Sequence, residues 1–228
     1  MSEIPRQLTL DLPVETRQGA DDFLVGPANA AAHSLVEAWP HWPDPVLLLV
    51  GPEGSGKTHL ATIWRERTGA VVIAAGDLND RTLEDTLRAA AMSGNAIVIE
   101  DCDSGRVDEH ALFHLLNIVR ARGSALLTAR SLPGAWGLAV PDLLSRLRLA
   151  ALAETGPPDD ALLRAVLVKL IVDRQLMVDA GVVETVLTRM ERSFAAAQRI
   201  VAALDREALS RGRRITRVMA NAVLQEMT

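Results

Sequence analysis

The sequence predicts an α/β fold: a parallel sheet covered on both faces by helices, followed by a small all-helical domain. Three observations carry this reading. From Val46 to Thr128, short purely apolar runs alternate with stretches of helical length, the pattern of strands buried on both faces of a parallel sheet. A glycine-rich turn, Gly51–Thr58, joins the first apolar run to the helical stretch after it. Beyond Glu154-Thr-Gly-Pro-Pro-Asp-Asp160 the apolar runs cease and only helical stretches follow.

Taken in order, residues 1–17 carry Pro5, Pro13 and several charges, and read as a tail. Ala28–Trp39 combines helix formers with apolar spacing near 3.6. Trp39-Pro-His-Trp-Pro-Asp-Pro45 ends it, because three prolines forbid continuation. Then come a strand at Val46–Val50, a helix at Lys57–Arg67, a strand at Val71–Ala74 and a helix at Leu83–Met92. A strand at Ala96–Ile99, a helix at Glu109–Arg120 and a strand at Ala125–Thr128 complete the alternating part. Gly156 and two prolines form a linker, with Asp159 or Asp160 able to cap the next helix. Four helices follow at Leu162–Arg174, Gly181–Met190, Phe194–Ser210 and Ile215–Met227. The expected division is a tail over 1–17, an α/β domain over 18–155 and a helical domain over 156–228.

Composition narrows the class. With 228 residues, 49% of them hydrophobic, the chain can bury roughly 70% of its unfolded surface and is not a disordered protein. A single cysteine, Cys102, excludes an internal disulfide framework. No apolar run approaches the ~20 residues of a membrane helix. Met1–Arg6 lacks a basic stretch leading into an apolar core, so no secretory signal and no membrane partner are expected, and the location is expected to be cytoplasmic. A net charge of −5 argues against a general nucleic-acid coat. Aromatic content of 3% without tyrosine disfavours a stacking platform for single strands. Of 24 basic residues only Lys57 and Lys169 are lysines.

Gly51, Pro52, Glu53, Gly54, Ser55, Gly56, Lys57 and Thr58 match G-x-x-x-x-G-K-[ST] in full, after a strand and before a helix. In such a turn glycines let backbone N–H groups point inward around a β-phosphate, and the helix N-terminus adds a favourable dipole. Lys57 supplies a point charge for the β/γ oxygens and Thr58 a hydroxyl for Mg²⁺. ADP or ATP with Mg²⁺ is the expected ligand. The strand Ala96-Ile-Val-Ile ends in Glu100 and Asp101. One such carboxylate, Glu100, joins Thr58 around the metal, and the next polarises the attacking water. The usual order puts Asp first and Glu second. Its inversion moves both carboxylates, and misplacement by ~1 Å is costly for catalysis, so weak or no hydrolysis by the chain itself is expected.

These features together resemble AAA+ proteins, and the details are closer to the initiator DnaA and its short Hda-type relatives. Phe23-Leu-Val-Gly-Pro-Ala-Asn29 is similar to the F-x-V-G-x-x-N segment that lines the adenine pocket, which implies a nucleotide contact by Val25. Leu126-Leu-Thr-Ala-Arg-Ser-Leu-Pro133 resembles the sensor-1 strand, with Thr128 near that position and Arg130 where the family has Asp. Pro141-Asp-Leu-Leu-Ser-Arg146-Leu resembles the arginine-finger segment, which assigns that role to Arg146. Met190-Glu-Arg192-Ser-Phe resembles the start of the sensor-2 helix; Arg192 matches best, with Arg189 or Arg199 as alternatives. The resemblance runs from about Asp22 to the C-terminus. No initiator-type helix-turn-helix follows, which distinguishes the Hda-type regulators from DnaA.

Gln7-Leu-Thr-Leu-Asp-Leu12 resembles the peptide by which partners dock on the β sliding clamp. In an extended peptide Leu8, Leu10 and Leu12 share one face, and Gln7 offers an amide at its start; an extra edge strand of the protein's own sheet is the other reading. His110 and His114, four apart, read as a polar helix face rather than zinc ligands, and Cys102 as packing. Arg211–Arg217 holds four arginines and reads as a solvated junction with Gly212 as a helix cap, or as a phosphate or acidic-partner contact. The four tryptophans read as scattered, with Trp39 and Trp42 flanking prolines as if packed under a loop. The resemblance thus implies a nucleotide-bound negative regulator of replication initiation. It would dock on the clamp, reach DNA indirectly through it, and stimulate hydrolysis of DnaA-bound ATP through Arg146 in trans, with a homodimer or larger oligomer open. An autonomous ATPase or helicase loader, and a DNA-binding DnaA paralogue, are the alternatives.

Overall fold

The computed structural model describes Gly19 and residues 22–227. These fall into two compact units, one through Pro157 and one from Pro158. The first unit is built on β1 (Val46–Val50), β2 (Val71–Ala74), β3 (Ala96–Glu100), β4 (Ser124–Ala129) and β5 (Ala151–Glu154). Their order across the sheet is β2-β3-β4-β1-β5, and every pairing is parallel. β1 is buried along its whole length, as an apolar strand inside a covered sheet must be.

Strand residues alternate between the two faces, and each face has its own helices. Leu47, Leu49, Val98 and Leu126 pack with α1 (Ala30–Glu37) and α2 (Lys57–Thr68). On the other face Val46, Leu48, Ile97, Ile99 and Leu127 meet α3 (Asp80–Ala91), α4 (Glu109–Arg122) and α5 (Pro141–Leu149). Local chemistry sets the helix ends. Asn79 and Thr82 form a reciprocal capping box on α3, Asp108 caps α4, and Gly69 ends α2 in the left-handed region.

Two elements escape the sequence reading. β5 is Ala-Leu-Ala-Glu, four residues of low strand propensity alternating buried and exposed at the sheet edge; pairing with β1, not local preference, makes it a strand. α5 starts with Pro141, a residue suited to the first helical turn, and buries only Leu143 and Leu147, one turn apart. The tryptophans need a correction as well. Trp39, Trp42 and Trp64 converge, with Trp42 stacked on Trp64 at 5.2 Å and Trp39 edge-on to it at 6.3 Å. Trp39 and Trp42 lie around the proline-rich turn and Trp64 on α2, a contact between distant chain segments that spacing does not reveal.

The second unit contains α6 (Asp160–Asp173), α7 (Val182–Arg189), α8 (Phe194–Arg211) and α9 (Arg217–Glu226) around Leu163, Leu167, Val186, Ala197, Val201 and Val223. Asp159 caps α6, accepting from the Leu162 N–H. Gly212 ends α8 in the left-handed region. One parallel bridge, Val178 to Ile215, interrupts the helical pattern. In the arginine cluster, Arg211 pairs with Glu207, Arg214 pairs with Asp179 at 2.9 Å, and Arg217 donates to the Ala180 carbonyl. Among the described residues no helix is long and apolar enough to cross a membrane.

Leu127 lies in the central strand β4 with no exposed surface. Leu127→Ala should lower the unfolding free energy by about 2–5 kcal/mol, the range for truncating a packed core leucine; a urea titration followed by far-UV circular dichroism measures it.

Candidate nucleotide site

The turn after β1 emerges at the carboxyl ends of the strands. The Gly51 N–H donates to the Ala129 carbonyl at the end of β4, and the Thr155 N–H donates to the Val50 carbonyl from beyond β5. Gly51 is pressed so closely against Thr155 that a Cβ would lie 2.1 Å from Thr155 Oγ1 and 2.4 Å from its carbonyl oxygen. Behind the turn, the Ser55 and Thr155 hydroxyls share a buried hydrogen bond of 2.7 Å. Gly54 and Gly56 have φ of +71° and +94°, a region closed to most side chains. Gly56 immediately precedes α2, whose first turn carries no acidic residue to offset its positive end.

Lys57 crosses this turn rather than leaving it. Its ammonium donates to the carbonyls of Gly51 (2.7 Å) and Pro52 (2.8 Å), and the residue is 8% exposed. Burial, and then the Arg130 charge, pull its pKa below the usual lysine value, while Asp101, Asp103 and Glu53 act in the opposite direction. The Arg130 guanidinium forms an ion pair with Glu53 of the turn at 3.0 Å. Two cations therefore stand beside the turn, with carboxylates around them.

The acidic strand end sits next to it. Thr58, in the first turn of α2, neighbours the Glu100 carboxylate. Burial and the neighbouring Asp101 raise the pKa of Glu100, against the pull of Thr58 and Arg65. Asp101 is exposed at φ +56°, and its N–H donates to Thr128 Oγ1 at 3.1 Å. The Cys102 N–H donates to the Thr128 carbonyl at 2.9 Å. Thr128 thus holds the acidic turn in place through both its hydroxyl and its backbone. The buried Cys102 thiol has its pKa raised by desolvation, then by Asp103, Asp101 and Glu100, as expected of an inert packing thiol.

The leading segment borders the same region. Asn29, 1% exposed, accepts from the Gly26 N–H and donates to the Leu24 carbonyl. The Gly156 N–H donates to the Ala28 carbonyl, tying the segment to the residue that follows Thr155. Phe23 stacks on His33 at 5.4 Å and meets His59 of α2 edge-on at 5.1 Å. Val25, 51% exposed, is carried on this pinned segment.

The structure thus gathers residues 51–58, Glu100, Asp101 and Thr128, with the segment bearing Val25 alongside. Arg146 is not among them. It is exposed on α5, and its carbonyl accepts from Arg120, whose guanidinium grips Asp44 just ahead of β1. The phosphate-loop sequence starts beyond Val50, at the far end of that strand. Five residues at about 3.3 Å each make that roughly 17 Å. The ion pairs among the described residues do not include Arg146. Arg192 lies in the helical unit, where it pairs with Asp160. Gln7, Leu8, Leu10 and Leu12 lie outside the described residues.

Three contributors carry little signal in the sequence. Asp103 accepts from the Arg130 N–H, the Ser131 N–H and the Ser131 hydroxyl through one carboxylate oxygen; its only signal is proximity to the acidic pair. Thr155 sits in what reads as a linker and acts through its approach to Gly51. Arg120 reads as one more basic residue at a helix end.

No protein-family model matches the chain. The crystal structure of domain III of the replication initiation protein DnaA from Thermotoga maritima superposes with a TM-score of 0.73, at 16% identity, over 92% of this chain and 96% of that one. The fold is that of an AAA+ domain. A RuvB variant from Thermotoga maritima shares it at a TM-score of 0.70 and 15% identity, over 92% and 72% of the two chains. In sequence, part of the chain is similar to the chromosomal replication initiator protein DnaA 1 of Chlamydia pneumoniae, 29% identical in an alignment of 148 residues that covers 55% of this chain and 32% of that protein. DnaA 2 of Chlamydia caviae is 27% identical in an alignment of 156 residues that covers 53% of this chain and 34% of that protein. The chain spans about a third of the length of these curated relatives.

Two predictions test the site. Gly51→Ala forces a methyl group into Thr155 and should abolish binding of a fluorescent adenine nucleotide in an anisotropy titration. Glu100→Gln removes a carboxylate that the fold prefers protonated. Because its folded pKa is raised, ionisation opposes folding above that pKa, and the penalty disappears as pH falls toward and below the ordinary glutamate value of ~4.3. The variant should therefore show a higher Tm than the parent at neutral pH, with the gap closing in acid.

Proposed function

We propose that the chain is a nucleotide-bound regulator of replication initiation, of the Hda type, that stimulates hydrolysis of ATP bound to DnaA. The observation that carries this reading is the place of Arg146: exposed, outside the ion pairs of the described residues, and at the opposite end of the strands from the chain's own phosphate-loop sequence. A cation so placed is suited to another protein's nucleotide, not to its own.

The chain's own site fits a di- or triphosphate. Backbone N–H groups between Glu53 and Thr58 and the Lys57 ammonium would hold the phosphates, with Thr58 and Glu100 on the Mg²⁺ side. When bound, the metal neutralises phosphate charge. Val25 would lie by the base, and Arg192 is the candidate lid contact. Asp101 is fixed by Thr128 in a left-handed turn and is one methylene shorter than the usual Glu, which supports a structural or regulatory nucleotide over rapid turnover. Acting in trans, Arg146 would neutralise charge on the γ-phosphoryl group as water adds to phosphorus and the β–γ bridging oxygen leaves with ADP. Fingers offered this way are worth about 10³–10⁵ in rate.

The Gln7–Leu12 pattern supports docking on the β sliding clamp, with DNA reached through that ring. The ion pairs and backbone bonds that occupy Arg211, Arg214 and Arg217 favour this route over direct DNA binding. The likeness to RuvB, described as a branch-migration motor, and the closeness of Thr58 to Glu100 favour one second reading, an autonomous ATPase.

Arg146→Ala should retain nucleotide affinity within about twofold and lose at least ~10³ of the stimulation of DnaA-bound ATP hydrolysis. Unchanged stimulation refutes the finger, and steady-state turnover by the chain alone near ~1 s⁻¹ favours the motor. Replacing Gln7 and Leu8 by alanine should abolish retention on immobilised clamp while leaving nucleotide affinity unchanged.

A further inference from the structure

The helix that carries Arg146 is held at both ends by α4. At the start of α4, the Glu109 carboxylate accepts from the Ala139 and Val140 N–H groups, immediately before α5 begins, at 2.9 and 2.7 Å. At its end, Arg120 donates to the carbonyl of Arg146 itself at 2.9 Å. The same guanidinium forms a two-pronged pair with Asp44, Nε to Oδ2 and Nη2 to Oδ1, both at 3.1 Å. Asp44 in turn accepts from the Val46 N–H, so the pair is anchored to the first residue of β1.

Like the pair of Arg174 with Asp205, this is one of the least exposed ion pairs among the described residues. Its side chains are 13% and 17% exposed, whereas those of the pair between Arg130 and Glu53 are 59% and 68% exposed. Exposed pairs contribute little order, but a desolvated, forked arginine–carboxylate pair holds a fixed geometry. Its residues are far apart in sequence, at 44, 120 and 146, and no core contact requires a charge here. A pair of apolar residues would fill such space as well or better for stability alone. What apolar residues cannot do is hold the backbone carbonyl of the finger residue.

We propose that Arg120, oriented by Asp44, is a positioning residue for Arg146: it fixes the last turn of α5 to the start of β1 and so sets where the finger projects. This rests on Arg146 acting in trans. The reason to build such a brace is geometric, because a group displaced by ~1 Å from a reacting phosphoryl loses about a hundredfold in rate. The finger side chain is long and flexible, so precision has to come from the backbone that carries it.

The test uses the full chain and three variants. Arg120→Lys keeps the charge but loses the fork. Arg120→Met with Asp44→Leu replaces the pair by apolar side chains and guards against an unpaired buried carboxylate. Arg146→Ala supplies the background. Hydrogen exchange should quicken in peptides covering Pro141–Leu149 in both brace variants, with exchange in β1 core peptides and nucleotide affinity unchanged. In stimulated DnaA hydrolysis, the maximal rate should fall about tenfold to a hundredfold while the half-saturating concentration stays the same, the signature of a group used only in the transition state. In the Arg146→Ala background the brace changes should have no further effect, because Arg120 acts through that residue. Unchanged exchange in α5, or a rate loss that persists in full without Arg146, overturns the positioning role. If exchange quickens but Arg146→Ala itself leaves stimulation intact, the finger reading fails and the positioning role falls with it, an outcome distinct from the first two.

Discussion

Burial of β1 is the constraint on which the α/β unit depends. Val46–Val50 lies between β4 and β5 with helices on both sides, so neither its height nor its direction can vary without opening two cores. One end delivers Gly51 into contact with Thr155 and sends the chain around the turn into α2. The other end receives Asp44, and through Arg120 the backbone of Arg146. A single rigid strand therefore separates the phosphate-loop sequence from the proposed finger residue and keeps their separation constant. Parallel pairing makes this possible, because the carboxyl ends of all the strands fall on one side of the sheet.

Electrostatics on that side are arranged by proximity as well as by burial. The Arg130 charge adds to desolvation in lowering the Lys57 pKa, while Asp101, Asp103 and Glu53 offset both. Asp101 likewise adds to desolvation in raising that of Glu100, with Thr58 and Arg65 opposing. Such a balanced cluster favours a ligand that brings phosphate negative charge and a divalent cation together. It also explains the tolerance of an inverted acidic pair: Thr128 and Asp103 fix the loop whether or not its carboxylates are spaced for hydrolysis.

Legibility varied with how local the cause was. β1 and β3 are readable because a buried strand between helices needs an unbroken apolar run, and Val46–Val50 and Ala96–Ile99 supply it. The phosphate-loop sequence is readable because its glycines answer local backbone demands at Gly54 and Gly56. By contrast, β5 is a strand only because β1 offers an edge, and its alanines carry no local preference for it. The three converging tryptophans, like the Asp103 contacts with Arg130 and Ser131, join chain segments that are distant in sequence and leave no periodic trace.

By itself the sequence determined the alternation of elements, the phosphate-loop motif and the basic residue at 146, since each rests on spacing within a few residues. Only the tertiary structure decided which of these stand together. It gathered Lys57, Glu100 and Thr128 at one end of the strands and set Arg146 at the other. The physical reason is that parallel strands order their ends by pairing across the sheet, and hydrogen bonds such as those of Arg120 close between residues that chain order keeps apart.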